Sequence, residues 1–124
     1  MTTVEVSNRS GVRVDEAAAV ELAQHVLAAE DVTDGELGLA FVAPDEMRAL
    51  KREHLGIDEA TDVLSFPIDG KAPLPEGEPR ALGDVVLCPQ VVGDEWRGPL
   101  VHGLLHLLGY DHGRAMSERE EALR

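Results

Sequence analysis

The run from Pro99 to Leu108 constrains the fold most, because almost all of its residues apart from two histidines are apolar. Pro99 suits the first turn of a helix, and Gly109 can adopt the left-handed conformation that ends one. A short helix that is apolar on nearly every side must be buried. The chain therefore needs a core that surrounds this helix, and its hydrophobic content of 44% supports one.

The remaining segments alternate between strand and helix patterns. Periodicity and turn signals predict strands over residues 2–7, 36–42, 61–67 and 81–89. The last of these, ALGDVVLCP, is apolar without alternation, which indicates a central strand. Helices are predicted after Asp15, which suits an N-cap, and from Pro44. Ser117 and Glu120 have the spacing of a capping box, which predicts the start of a last helix.

The element order β-α-β-α-β-β-α-α predicts the fold class. We expect one small α+β domain over residues 1–124, with a mixed four-stranded sheet packed with helices. The buried helix would carry the first two candidate metal ligands, His102 and His106. Cys88, the single cysteine, excludes an internal disulfide and is expected to be a buried apolar residue.

Three of the five histidines lie close together, at His102, His106 and His112. His102 and His106 project from one face of a helix, one turn apart. Gly109 allows the chain to turn back and bring His112 toward them. Three imidazoles that leave a position open are typical of a catalytic zinc site, whereas a closed structural site has four ligands. The alternative is three core histidines whose ring nitrogens bind backbone carbonyls.

The same spacing occurs in the metalloprotease pattern H-E-x-x-H-x-x-G-x-x-H. Gly103 occupies the position at which those enzymes carry their glutamate general base, which argues against a peptidase. Asp111, next to the third histidine, has two possible roles: it orients an imidazole, or it is a turn residue.

Three segments together resemble one family: HGLLHLLGYDH, preceded by TDVLSFP and LGDVVLCP in that order. They resemble the YbeY-type endoribonucleases, the bacterial rRNA maturation factors. The resemblance implies a zinc-dependent, single-strand-specific endoribonuclease with one Zn²⁺ per chain, acting in 16S rRNA 3′-end maturation and ribosome quality control. It also implies a cytoplasmic protein whose partners are single-stranded rRNA, the small ribosomal subunit and assembly proteins. No apolar stretch is long enough to predict a membrane span.

The resemblance carries the family's zinc ligands onto His102, His106 and His112. Its substrate groove would run between the metal and the TDVLSFP strand. The substrate-binding candidates on that strand are Thr61, Asp62 and Ser65. Strand packing and turn hydrogen bonds are the alternative role for these three side chains.

The chain departs from the family pattern at two places. Leu55 stands where many members have an arginine, and leucine cannot contact phosphate. The catalytic candidates are Arg52 and His54, which lie near Leu55 and could replace the arginine, and Asp111, which is next to the third ligand. The segment 89–100 is shorter than expected, and Trp96 can fill the gap by packing or by stacking on a base.

The formal net charge of −13 opposes non-specific nucleic-acid binding. This charge leaves open a non-catalytic alternative, in which the protein is a zinc-binding ribosome-assembly factor that contacts other proteins. A different zinc hydrolase is the remaining alternative, with a peptidase disfavoured by Gly103. The basic residues Arg48, Lys51 and Arg52 fit a solvated helix face better than a binding strip.

Overall fold

The computed structural model describes residues 2–55, 62–110 and 113–123, which form four strands and five helices. In chain order they are β1 (Thr2–Arg9), α1 (Glu16–Ala29), β2 (Gly35–Val42), α2 (Pro44–Leu55), β3 (Val63–Pro67), β4 (Ala81–Leu87), α3 (Pro89–Val92), α4 (Arg97–Leu107) and α5 (Arg114–Leu123). The predicted element order is confirmed, except that it lacked the short helix α3. Within these residues, no helix combines the length and hydropathy needed to cross a bilayer.

The four strands form one mixed sheet in the order β1-β2-β4-β3. β1, β2 and β4 run parallel, while β3 pairs antiparallel with β4. β4 lies inside the sheet and is buried on both faces, with Val85 and Leu87 on one side and Val86 on the other. This is the environment that its continuous apolar sequence predicts. The predicted α+β class and mixed four-stranded sheet are confirmed.

The larger part of the core lies on the face of the sheet that α1 and α4 cover. Asp15 caps α1 by accepting a hydrogen bond from the backbone N–H of Ala18 at 3.0 Å. Alternate side chains of β2 pack on this face: Leu37, Leu39 and Phe41. The side chains of α4 that are fully buried here are Leu100, Val101, Leu104 and Leu105. The apolar helix is therefore buried, as its sequence predicts.

The opposite face of the sheet packs against α2. Met47 of α2 contacts a smaller cluster made by Val42, Leu64, Val86 and Cys88. Cys88 is completely buried, as predicted. Because side chains alternate along β3, Leu64 belongs to this face, whereas its neighbour Val63 packs against the larger core. The sheet therefore separates α2 from α4.

The two ends of α4 have identifiable causes. The helix begins at Arg97, two residues before Pro99, which lies in the first turn where its missing N–H removes no helical hydrogen bond. Gly109, with φ of 104°, ends the helix in a Schellman motif. Its N–H donates to the His106 carbonyl, and that of Tyr110 donates to the Leu105 carbonyl, both at 3.0 Å.

Two residues beside these helices test expectations from the sequence. Trp96 is only 8% exposed and lies in the larger core cluster, so it fills the shortened segment by packing. The predicted capping box at Ser117 is wrong, because α5 begins at Arg114 and the N–H of Ser117 already donates to the Gly113 carbonyl. Glu120 does not cap the helix, and its carboxylate contacts His102.

Candidate metal centre

His102 and His106 lie side by side on the partly exposed side of the otherwise buried helix α4. Their ring centroids are 4.8 Å apart and the ring planes are nearly perpendicular, at 82°. Two imidazoles that share a tetrahedral ion at ordinary Zn–N distances have centroids about 5 Å apart. The side chain of His102 is 31% exposed, so the pair is accessible although the helix around it is buried. The spacing of this pair therefore suits a shared ion.

The ring of His102 is oriented by a carboxylate. Its Nδ1 contacts Oε1 of Glu120, which lies on α5. A carboxylate accepts hydrogen bonds, so Nδ1 carries the hydrogen and donates it. In the neutral ring, Nε2 is then the nitrogen that presents a lone pair.

The ring of His106 is oriented by a backbone carbonyl. Its Nδ1 donates to the carbonyl oxygen of Tyr110 at 3.0 Å. That carbonyl is positioned by the turn at Gly109 that ends α4. Both histidines are thus held in the same tautomer. Metal-binding histidines are held in this way, with one ring nitrogen bonded to an oxygen acceptor and the other bound to the ion.

The donor set fits Zn²⁺, as far as the structure describes it. Two imidazoles whose Nδ1 atoms are bonded to oxygen acceptors are ligands that zinc prefers. The third expected ligand, His112, lies outside the described residues, as does Asp111. Within the described ranges, no three His, Cys, Asp or Glu side chains are placed to share one ion. The three-histidine site therefore stays a prediction.

Gly103, between the two histidines, lies against the sheet. A Cβ atom at this position would lie 2.8 Å from Cγ2 of Val63 and 3.0 Å from Cγ1 of Val85. The hydroxyl of Ser65 also donates to the Gly103 carbonyl at 2.7 Å. There is no room for the glutamate side chain that a metalloprotease carries at this position. The sequence argument against a peptidase thus has a packing basis.

The predicted substrate-binding residues lie at or before β3. The hydroxyl of Ser65 is engaged with α4, as described above. Oδ1 of Asp62 accepts a hydrogen bond from the Val63 N–H at 2.8 Å, and the Asp62 carbonyl accepts one from the Cys88 N–H at 3.0 Å. Thr61 lies outside the described residues. Ser65 and Asp62 have structural roles, and their contact with substrate stays a prediction.

The catalytic candidates on α2 are not brought to the histidine pair. Arg52 and His54 lie on the helix that covers the opposite face of the sheet. The ring of His54 packs against Phe66, with centroids 4.8 Å apart. Neither His102 nor His106 shares this face. A role for Arg52 or His54 in catalysis stays a prediction.

Two grooves differ in their relation to the histidines. A groove of about 320 Å³ lies between the β3–β4 connection and the end of α4. It is lined by Pro67, Ile68, Asp69, Gly70, Lys71, Ala72, His106, Leu107, Leu108 and Gly109. A larger groove of about 550 Å³ lies on the opposite face, beside His54 and Phe66. Of these two grooves, as lined by the described residues, the smaller one reaches an oriented histidine, His106, and the larger one reaches neither.

Sequence reasoning missed two carboxylates that belong to this region, Glu120 and Glu30. Glu120 was interpreted as a capping residue, since the sequence gives no indication of its contact with α4. Glu30, at the end of α1, accepts a hydrogen bond from Nε of Arg119 at 2.6 Å, and its carboxylate also raises the pKa of the Tyr110 hydroxyl. A helical repeat through the buried residues Ala19 and Val26 reaches Glu30, and this periodicity could have revealed it.

The environment of Glu30 favours its charged form. Burial alone raises the pKa of this carboxyl, but the hydrogen bonds from Tyr110 and Arg119 outweigh burial and lower the pKa below its usual range. The same bond raises the pKa of Tyr110, because its hydroxyl donates to a carboxylate. Glu30 and Arg119 therefore form an ion pair at neutral pH.

The fold and the site define a small α+β protein in which a buried helix presents an oriented histidine pair. The family model for Endoribonuclease YbeY matches residues 5–123. An Endoribonuclease YbeY of Acidothermus cellulolyticus is 42% identical, over 95% of this chain and 84% of its own length. That of Mycolicibacterium paratuberculosis is 37% identical, over 95% of this chain and 76% of its own. The chain belongs to the YbeY endoribonuclease family.

A solved structure has the same fold. The solution structure of TM1509 from Thermotoga maritima superposes with a TM-score of 0.57. The match covers 99% of this chain and 86% of that one, at 24% sequence identity. At this identity the likeness supports the fold alone.

Proposed function

We propose that the protein is a zinc-dependent, single-strand-specific endoribonuclease. Its substrate would be small-subunit rRNA, whose 3′ end it would help to mature in the cytoplasm, with a further part in ribosome quality control. The small subunit and its assembly proteins would be the partners. The single observation that carries the proposal is that each ring of the histidine pair donates from Nδ1 to an oxygen acceptor. Membership of a family whose members are named endoribonucleases supports RNA as the substrate.

The residues that would hold the ion are His102, His106 and His112. When bound, Zn²⁺ would supply a positive charge that stabilises the negative charge developing on a phosphodiester during cleavage. Glu120 and the Tyr110 carbonyl hold two of the rings in place before the ion arrives. This preorganisation lowers the conformational entropy that the rings lose on binding.

The chain's charge requires that RNA binding be local. A net charge of −13 repels a polyanion at long range. Lys71 lines the groove beside His106, and its Nζ donates to the backbone carbonyl of Glu30 at 3.0 Å. Asp69 also lines this groove, so a phosphate that enters it would meet both a lysine and a carboxylate.

The proposal is tested by comparing wild type, His102→Ala and His106→Ala on a single-stranded RNA, with bound zinc measured on the same samples. We expect both variants to lose zinc and cleavage together. His25→Ala is the matched control, because His25 is exposed on α1 and should leave both unchanged. Cleavage that persists equally in wild type and His102→Ala would contradict the proposal.

The products of cleavage identify the attacking group. Attack by the RNA's own 2′-hydroxyl leaves a 2′,3′-cyclic phosphate, whereas direct attack by water does not. End-group analysis of the cleaved RNA therefore distinguishes the two routes. The described residues favour neither route.

A non-catalytic zinc-binding assembly factor is the second candidate, and the net charge of −13 favours it because an acidic surface suits protein partners better than bare RNA. Zinc binding with no cleavage above the His102→Ala background would support it. A peptidase remains disfavoured by the packing at Gly103.

A further inference from the structure

Glu30 is the carboxylate that the fold buries, among the residues that the structure describes. Its side chain is 5% exposed, and it lies just beyond the end of α1. A buried charge is costly unless it is paired and hydrogen-bonded, and Glu30 is both. We therefore asked which parts of the fold the Glu30 carboxylate connects.

Two partners bind the Glu30 carboxylate from different segments. Arg119 of α5 donates from Nε at 2.6 Å, and it also donates to the Ala29 carbonyl at 3.0 Å. The Tyr110 hydroxyl, just after α4, interacts with the same carboxylate: it lowers the pKa of Glu30, and Glu30 raises the pKa of Tyr110. One carboxylate thereby joins the end of α1 to α5 and to the turn that follows α4.

Each partner is adjacent to a group that orients a histidine. Arg119 directly precedes Glu120, whose carboxylate contacts His102. The carbonyl of Tyr110 accepts the hydrogen bond from His106 at 3.0 Å. One acceptor therefore lies on the residue next to Arg119, and the other is the backbone carbonyl of Tyr110 itself.

We infer that Glu30 is a positioning residue for the histidine pair. Its carboxylate fixes α5 through Arg119, which places the Glu120 acceptor, and fixes the turn through Tyr110, which places the carbonyl acceptor. Glu30 touches neither histidine and acts only through these two groups. The inference rests on the proposed function, because the orientation of the two rings matters only if they bind a zinc ion.

The test measures metal binding by the folded protein, below its unfolding transition. Glu30→Gln keeps the size of the side chain and removes the charge that pairs with Arg119. We expect zinc affinity, measured by competition with a chromophoric chelator, to fall roughly 3- to 10-fold, less than the 10- to 100-fold typical of residues that bond a ligand directly. The visible absorption of bound Co²⁺ should change as well, since it reports ligand geometry.

Two further variants separate positioning from general stability. Tyr110→Phe removes the hydroxyl and keeps the carbonyl, so it should weaken zinc binding less than Glu30→Gln while disturbing the fold little. Val86→Ala removes apolar contacts from the cluster on the opposite face. It should lower stability while leaving zinc affinity and the Co²⁺ spectrum unchanged.

The outcomes are distinct. Zinc affinity and Co²⁺ spectra that match wild type in both Glu30→Gln and Tyr110→Phe would overturn the inference. The inference would also be overturned if Val86→Ala, at the same stability as Glu30→Gln, weakened zinc binding by the same factor. Failure of the wild-type chain to bind zinc would overturn the proposed function itself, and that result is visible before any variant is made.

Discussion

Replacing Gly103 with alanine should destabilise the fold, although alanine is the better helix former. In an open helix the change would stabilise by about 1 kcal/mol. Here the new methyl would lie 2.8 Å from Cγ2 of Val63 and 3.0 Å from Cγ1 of Val85. Carbon atoms pack at about 3.5–4.0 Å, so the overlap is on the order of 0.5–1 Å with two neighbours.

The neighbours cannot move away easily. Both are β-branched side chains with restricted χ1 rotation, and Val85 is completely buried. Overpacking of this kind costs about 1–3 kcal/mol. After the gain in helix propensity, we expect a net loss of about 1 kcal/mol, which lowers Tm by about 4 °C in a domain of this size. The measurement is urea and thermal unfolding in the presence of a chelator, so that metal binding does not contribute.

A double-mutant cycle with Val63→Ala isolates the cause. Removing the Val63 methyl groups makes space for the new Cβ, so Gly103→Ala should be neutral or stabilising in that background. The expected coupling between the two sites is about 1 kcal/mol. The reasoning is refuted if Gly103→Ala raises the free energy of unfolding of the wild-type chain, or if its effect is the same in both backgrounds.

Four further predictions concern the metal centre and the ion pair beside it. Glu120→Gln should weaken zinc binding about 10- to 100-fold by competition titration, and an unchanged affinity would contradict the orienting role of this carboxylate. Zinc at 100 times its Kd should stabilise the wild-type chain by about 2.7 kcal/mol. Metal analysis should find about one zinc per chain, and His112→Ala should lose both the zinc and the stabilisation, whereas full retention of zinc would exclude the three-ligand site. Because the pKa of Glu30 is lowered in the fold by Tyr110 and Arg119, with Lys71 also nearby, its contribution is present at neutral pH and is lost as the pH falls through that lowered pKa. Acid unfolding should therefore be less steep in Glu30→Gln, and equal slopes would contradict this.

The sequence predicted the parts of the fold that depend on local patterns. The burial of α4 followed from its apolar residues, and the central place of β4 followed from its lack of alternation. The helix end at Gly109 was predicted because a positive φ strongly favours glycine. These features are determined within a few residues of the chain, so a single sequence reveals them.

The features that the sequence did not reveal depend on contacts between distant segments. α3 has only four residues, too few to show a helical period. Ser117 and Glu120 have the spacing of a capping box, but that spacing also occurs inside a helix, and the contact of Glu120 with His102 spans 18 positions. Likewise, 89 positions separate Glu30 from Arg119. Only the packed structure brings such groups together.

The geometry of the histidine pair depends on two kinds of constraint that act together. Gly103 allows α4 to lie directly against β3 and β4, which fixes the helix backbone relative to the sheet. The oxygen acceptors from Glu120 and Tyr110 then fix the rotation of each ring about that backbone. A site built on a rigid element keeps its geometry only if both the element and the side chains are held. Substitutions at Gly103 should therefore change stability and metal binding together, whereas Glu120→Gln should affect mainly metal binding.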